Sequence, residues 1–240
     1  MKTWMIIVLV IILVPVLTLG YLGFVPGLST VMGSNRPRDL GVRYTQADLS
    51  SLMAKNGIQD VALPDTSNPA GSLIYSGSKA VKADFTQAEL TARMADNEKI
   101  KFNPISDTQL KINADGTAEV SGIMDLNMVG DGATAFGMPK GDFDRIMPYL
   151  DKAKALNSKP AFYAKGKVSV VNNQLSMDVK EAEIGRMPLP LDQIPMDTVT
   201  SEFESLMGNV EGLNIKSLQF ENGKMSFDGT LPAKVSSARK

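Results

Sequence analysis

Between Leu110 and Leu231 the hydrophobic period is two in three separate places, and each time a turn signal interrupts it. Leu110, Ile112 and Ala114 alternate toward Asp115-Gly116, and Ala118, Val120, Gly122 and Met124 alternate away. Phe162, Ala164, Gly166, Val168 and Val170 lead to Asn172-Asn173, then Leu175, Met177 and Val179. Leu218 and Phe220 lead to Asn222-Gly223, then Met225, Phe227, Gly229 and Leu231. Alternation puts every second side chain on one face of a strand. Asp-Gly and Asn-Gly between such runs suit a type I′ turn, which needs φ > 0 at both central residues. The three runs therefore predict three hairpins in a mostly antiparallel sheet.

Helical segments separate the hairpins. Asp142 to Leu156 places Phe143, Ile146, Met147 and Leu150 on one face, with Pro148 bending the segment. Asp197 to Met207 groups Val199, Phe203, Leu206 and Met207. Helical and antiparallel blocks in alternation read as α+β. Linkers are expected at Leu63 to Gly77 and at Gly130 to Gly141, and Pro232 to Lys240 reads as a small, polar, frayed tail.

An internal repeat lies upstream. Tyr44 to Asn56 and Phe85 to Asn97 match at seven of thirteen positions. Thr45 and Thr86 suit the N-cap, Asp48 and Glu89 fall three residues on as in a capping box, and Tyr44/Leu49 and Phe85/Leu90 have the spacing of a hydrophobic staple. Each copy predicts a short helix entered from extended chain. A solenoid needs about three copies, so two indicate a duplicated helix entry within one domain.

The first residues are of another kind. Trp4 to Leu28 carry no charge, and 19 of those 25 residues are hydrophobic. About 20 helical residues cross a bilayer core, so the segment reads as an uncleaved membrane anchor rather than a signal peptide, whose apolar region is shorter. Lys2 argues for a cytoplasmic N-terminus, which would put the rest of the chain outside. The expected organisation is an anchor and juxtamembrane segment over 1–35, an extracytoplasmic α+β domain over 36–232 and a flexible tail over 233–240. The lack of Asn-x-Ser/Thr sequons and of Cys fits a prokaryotic envelope.

Composition removes most chemistry. The chain has no His and no Cys, and its 25 basic and 26 acidic side chains leave a net charge of −1. Ser-His and Cys-His nucleophile pairs, the usual zinc ligand sets and disulfides are excluded, and nothing drives binding to nucleic acid. Ser76-Gly77-Ser78-Lys79 matches the S-x-x-K of Ser-Lys acyl transferases, a pattern this composition produces by chance. Its companion motifs are missing. Asp125 with Asp131, or Asp142 with Asp144, could be paired carboxylates or calcium ligands, but Asp125 and Asp131 lack the spacing of a calcium loop and Asp142 beside Phe143 reads as a helix-start residue. No cofactor motif and no metal site is expected. Met is frequent, with 14 residues, and its flexible, polarizable side chain suits either adaptable core filling or a groove for variable apolar chains.

Four features together, the apolar N-terminus, the F-T-x-x-E-L entry at Phe85 to Leu90, Ile184-Gly185-Arg186-Met187-Pro188-Leu189-Pro190, and L-x-F-E-N-G-K-M-x-F-x-G-T-L-P from Leu218 to Pro232, resemble the YpmS-like and LmeA-like bacterial envelope proteins. Those are similar to tubular lipid-binding (TULIP-type) domains. The resemblance spans residues 80–232 and implies a bent antiparallel sheet wrapped around helices, an apolar groove for acyl chains and no catalytic residues. The expectation is a non-enzymatic, membrane-anchored protein of the cell envelope that binds or carries a phospholipid or other acyl lipid. Its groove would be built from Leu90, Met94, Phe143, Ile146, Met147, Leu150, Phe203, Leu206 and Met207. The alternative is a structural module that binds another envelope protein with a fully packed interior.

Overall fold

The computed structural model describes residues 13–21, 25, 27–138, 154, 157–194 and 196–240. Residues 13–21 are helical, and a short helix α1 follows at Leu28–Met32. Then come α2 (Gln46–Asn56), β1 (Gln59–Ala62), β2 (Leu73–Ser76), β3 (Lys79–Thr86) and α3 (Gln87–Asn97). The sequence continues with β4 (Ile105–Ile112), β5 (Thr117–Met124), α4 (Val129–Ala135), β6 (Ala161–Val171), β7 (Gln174–Ile184) and β8 (Met187–Pro188). It closes with α5 (Met196–Gly208), β9 (Asn214–Glu221), β10 (Lys224–Leu231) and β11 (Lys234–Ser237). The α+β class with a large antiparallel sheet is what the alternating runs require.

The membrane anchor is corrected. Among the described residues no helix is long and apolar enough to cross a membrane. Leu28 and Ser34 instead lie back against Gly20 of the helical segment 13–21. Gly27 holds φ at +82°, and a Cβ on Gly20 would sit 2.4 Å from Leu28 Cδ2, so α1 packs directly on the preceding helical segment. Ser34 Oγ then donates to the Gly20 carbonyl at 2.7 Å. The transmembrane helix of the expected fold, the signal-anchor reading and the single-pass placement of the chain in a cell membrane fall with it.

All three hairpins form, as β4–β5, β6–β7 and β9–β10. Asn172 and Asn173 (φ 51° and 64°) and Asn222-Gly223 (49° and 77°) have the two positive φ angles of a type I′ turn. The Asp115-Gly116 turn differs, since only Gly116 is left-handed, at +79°. Gly116 N–H donates to the Asn113 carbonyl and Asp115 Oδ1 accepts from Thr117 N–H, a wider turn closed by the carboxylate.

The strands join in the order β3-β10-β9-β6-β5-β4, with β7 on the other edge of β6 and β8 beyond it. β5 pairs with the first part of β6 and β9 with Val170 and Val171, so the sheet divides along one edge of β6. The turn at Asn172-Asn173 locks that junction by donating to the carbonyls of Lys216 and Ile215. The expected alternation in β6 holds only in its second half. Gly166 and Val170 are buried there, while Ala161 and Tyr163 are buried on the opposite face. Arg38 supplies that cover, stacked 3.9 Å above the Tyr163 ring, and the Tyr163 hydroxyl donates to Glu119 at 2.9 Å.

Both repeat copies are helices with complete capping boxes at Thr45/Asp48 and Thr86/Glu89. They pack against each other, and the longer acidic residue of the second copy makes the joint. Glu89 caps its own helix through the Thr86 N–H at 2.8 Å and also accepts from Ser51 Oγ (2.5 Å) and Lys55 Nζ (2.7 Å) of α2. Phe85 is buried in the core with Leu52, Val81, Val170, Ile215 and Phe227, whereas its counterpart Tyr44 is exposed. Only one of the two staples is therefore covered.

Helix α3 also seals the free edge of β4. Gln87 Oε1 accepts from Ile112 N–H at 3.0 Å, Thr91 Oγ1 accepts from Leu110 N–H at 3.1 Å, and Glu98 Oε1 accepts from Thr108 N–H at 3.1 Å. Four helical residues advance about 6 Å, close to the roughly 6.6 Å of two strand residues, so Gln87 and Thr91 meet alternate amides. Because β3 runs straight into α3, this one helix bridges the two outer strands of the β3-to-β4 path.

The expected tail is a strand. β11 lies at the centre of a second sheet, parallel to β1 and antiparallel to β2. Ala238 is completely buried and Val235 is 8% exposed, packed with Leu73 and Ile100. The expected linkers likewise contain β2 and α4.

Two outcomes are expected. Val235→Asp places an unpaired carboxylate in this small core and should lower the unfolding free energy by about 3 kcal/mol or more. Val61→Thr, on the exposed neighbouring strand, should stay within about 0.5 kcal/mol; urea titration distinguishes them. For Glu89, burial pushes the carboxyl up, but Lys55, Ser51 and the Thr86 N–H together hold it below the usual carboxylate range. A lowered folded-state pKa gives stability that is present above the unfolded value and lost as pH falls through the folded one. The urea midpoint of the wild-type chain should therefore drop more steeply below pH 4.5 than that of Glu89→Gln.

Candidate functional site

Two apolar chambers share Leu213 as a wall residue. The outer one, about 460 Å³, lies between α4 and α5, with Val129, Ala133 and Phe136 on one wall and Phe203, Leu206 and Met207 on the other. Tyr75 of β2 and Pro104 and Ile105 at the start of β4 complete it. The inner chamber, about 270 Å³, runs under α2 and α3 between Leu52, Leu90 and the β9–β10 side chains Ile215, Leu218 and Met225. The larger volume falls within the roughly 300–1,000 Å³ of small-ligand pockets and the smaller just below it.

The walls follow from local sequence. In α5, Val199, Phe203, Leu206 and Met207 recur at helical spacing, yet none of the helix is buried and Phe203 is 50% exposed. Phe136, at the end of α4, is also exposed. Large apolar side chains facing one another across a channel that the described residues leave open are what a binding groove requires. The α4 wall is held close by Gly132, where a Cβ would meet the Phe102 carbonyl oxygen and Pro104 Cδ at 2.9 Å.

Polar groups are few here. Asn103 is satisfied, donating to the Asn97 carbonyl and accepting from Ile105 N–H, both at 2.9 Å. Arg93, at the edge of the inner chamber, forks onto Asp60, with its second contact at 3.0 Å. Asp96 lies 3.6 Å from Arg93 and 3.4 Å from Arg239. Burial raises the Asp96 carboxyl, but Lys99 and the two arginines bring it below the ordinary carboxylate range. Burial pushes the Tyr75 hydroxyl up to about 12, with the charge of Arg93 pulling the other way.

Of the nine groove residues read from the sequence, Phe203, Leu206 and Met207 line the outer chamber and Leu90 the inner one. Met94 is half-buried on α3 and lines neither. Phe143, Ile146, Met147 and Leu150 lie outside the described residues. Sequence reasoning missed Tyr75 and Phe136, which sit in segments read as linkers, and Leu213, which lies between the helix predicted over Asp197 to Met207 and the third hairpin. A larger cleft of about 640 Å³ lies where the sheet divides, but Asp115, Lys167, Asp178 and Glu221 line it with charges of both signs and no convergent chemistry.

The residues considered for catalysis do not converge. Lys79 is exposed and its ammonium lies 3.5 Å from the Gly57 carbonyl oxygen, while the neighbouring Ser78 donates to the Gly212 carbonyl at 3.3 Å. Asp125 pairs with Lys159 at 2.9 Å. Among the described residues no group of three or more acidic side chains could hold a metal ion. Comparison of the chain with protein-family models, with curated proteins and with solved structures gave no match.

Gly132→Val should force α4 away from the Phe102–Pro104 segment. We expect a loss of about 1–3 kcal/mol in stability, as for other overpacked sites, together with greater binding of the hydrophobic dye 1-anilinonaphthalene-8-sulfonate as the outer chamber widens.

Proposed function

We propose that this chain binds a lipid acyl chain, with its tail in the outer chamber and reaching past Leu213, and that it performs no chemistry on it. The observation that carries the reading is the pair of facing apolar walls on α4 and α5, left open by the described residues, beside a second apolar chamber that shares Leu213 with the first. Methionines contribute here as well, with Met138 and Met207 in the outer chamber and Met225 in the inner one, and their unbranched side chains adapt to chains of different length. The motifs that resemble the YpmS-like and LmeA-like proteins point to the same ligand class.

Magnitudes limit the ligand. Ten buried methylenes at about 0.8 kcal/mol each contribute about 8 kcal/mol. Association costs roughly 4–15 kcal/mol in lost freedom. A short chain would barely hold, so the reading requires a long chain or an additional contact at its head.

Native mass spectrometry of the full chain purified without detergent tests the proposal. A stoichiometric acyl lipid is the expected result. A clean apo mass that persists after incubation with phosphatidylglycerol liposomes would move the reading to a protein-docking module that covers the same apolar walls. Phe203→Ala should lower lipid occupancy at least threefold while changing stability by less than about 1 kcal/mol, because half of that side chain is already in solvent.

A further inference from the structure

One residue belongs to both chambers. Among the described residues Leu213 alone lines the outer chamber with Phe203 and Leu206 and also the inner one with Leu90 and Leu218. It is half-buried and packs against the core cluster that holds Phe85 and Ile215. The two cavities are therefore neighbours whose shared boundary is an aliphatic side chain.

The backbone on both sides of that side chain is fixed. Gly212 holds φ at +83°, and a Cβ there would run into the Gly77 carbonyl oxygen, so only glycine lets the α5–β9 connection lie this close to the β2–β3 turn. The Gly212 carbonyl accepts from Thr230 Oγ1 at 2.8 Å, and Leu213 N–H donates to the Val210 carbonyl at 3.1 Å. On the other side Asn214 pairs with Thr230 of β10, and Ile215 N–H donates to Asn173 Oδ1 at 2.6 Å. With the main chain pinned, the boundary can give way only by rotation of the Leu213 side chain between its rotamers.

That constraint acts on the length of a bound tail. A hydrocarbon chain extending through the outer chamber gains about fourfold in affinity for each methylene it buries, the factor to which about 0.8 kcal/mol corresponds. The gain lasts until the chamber is filled. The next carbons meet Leu213, and reaching the inner chamber means turning this side chain away from its core contacts, which close packing makes costly. The residue at 213 thus decides where the series of favourable methylenes is interrupted.

We propose that Leu213 is the partition between the two chambers and sets the length of acyl chain that the groove prefers. This rests on the lipid-binding reading above and adds a length specificity, with its determining residue, to it.

The test uses the full chain and the even-numbered saturated fatty acids from octanoate to stearate, each displacing a fluorescent fatty-acid reporter. In wild type, affinity should rise about fifteenfold for each two-carbon step up to one length, and less than about threefold per step beyond it. Leu213→Ala, which opens the boundary, should carry the steep rise on by at least one further step, with shorter acids bound within about threefold of wild type. Leu213→Val removes a single carbon and serves where the alanine variant loses its fold; it should bind the first acid beyond the wild-type break about threefold tighter or more. A rise that continues unbroken to stearate in wild type overturns the partition and leaves the groove reading standing. So does a break that stays at the same length and strength in the folded variants. Binding of none of the acids to wild type overturns the groove and the partition together.

Discussion

Helix α3 holds the molecule together through hydrogen bonds to backbone amides that would otherwise be unpaired. Strand β4 ends one path of the sheet, and such an edge leaves a row of unpaired N–H groups that invites association. Gln87, Thr91 and Glu98 accept from three alternate amides of that edge. The same helix continues β3 and receives α2 through Glu89. A single eleven-residue helix, with Glu98 as its C-cap, thus protects an edge, links the two outer strands of that path and anchors the helix pair above the core. Replacing its polar residues by apolar ones of similar size would keep the packing and still leave the edge open.

That closure places the groove. With α2 and α3 fixed over β3, β10 and β9, the inner chamber is roofed by Leu52 and Leu90. The outer chamber is built from later elements, α4 and α5, whose apolar faces are opposed but not joined. The contrast between a tightly covered Phe85 and a half-exposed Phe203 separates the part of the molecule that folds around its own side chains from the part that leaves them facing a channel. Gly132 sets the spacing on one side, since any larger residue would collide with the backbone at Phe102.

Local signals in the sequence are legible and distant ones are not. The hairpins and the two helix entries depend on turn conformations and caps contained within a few residues, so the amino-acid order alone locates them. The Asp115-Gly116 hairpin is found while its turn type is not, because a carboxylate accepting from Thr117 favours another geometry. β11 gives no signal of its own: Lys234-Val235-Ser236-Ser237 is polar, and only pairing with two four-residue strands far upstream makes it a core strand. The apolar N-terminal stretch satisfies a hydropathy rule that knows nothing of the contact between Gly20 and Leu28. In the groove, the helical spacing of Phe203, Leu206 and Met207 announces one wall. Tyr75, Phe136 and Leu213 carry no such mark, since their apolar neighbours are brought to them by tertiary structure alone.

The parallel pairing of β1 with β11 has a kinetic consequence. Gln59 faces Lys234 across that ladder, so the contact joins positions 175 residues apart. Loop-closure entropy grows only logarithmically, about 0.6 kcal/mol for each doubling of length, and the finished sheet carries little thermodynamic burden from it. The search for such a contact is slow, because a chain rich in non-local pairings must lose that entropy before the contacts reward it. The large sheet, built from local hairpins, can assemble early. Until β11 pairs with β1 and β2, Val235 and its packing partners Leu73 and Ile100 stay uncovered together.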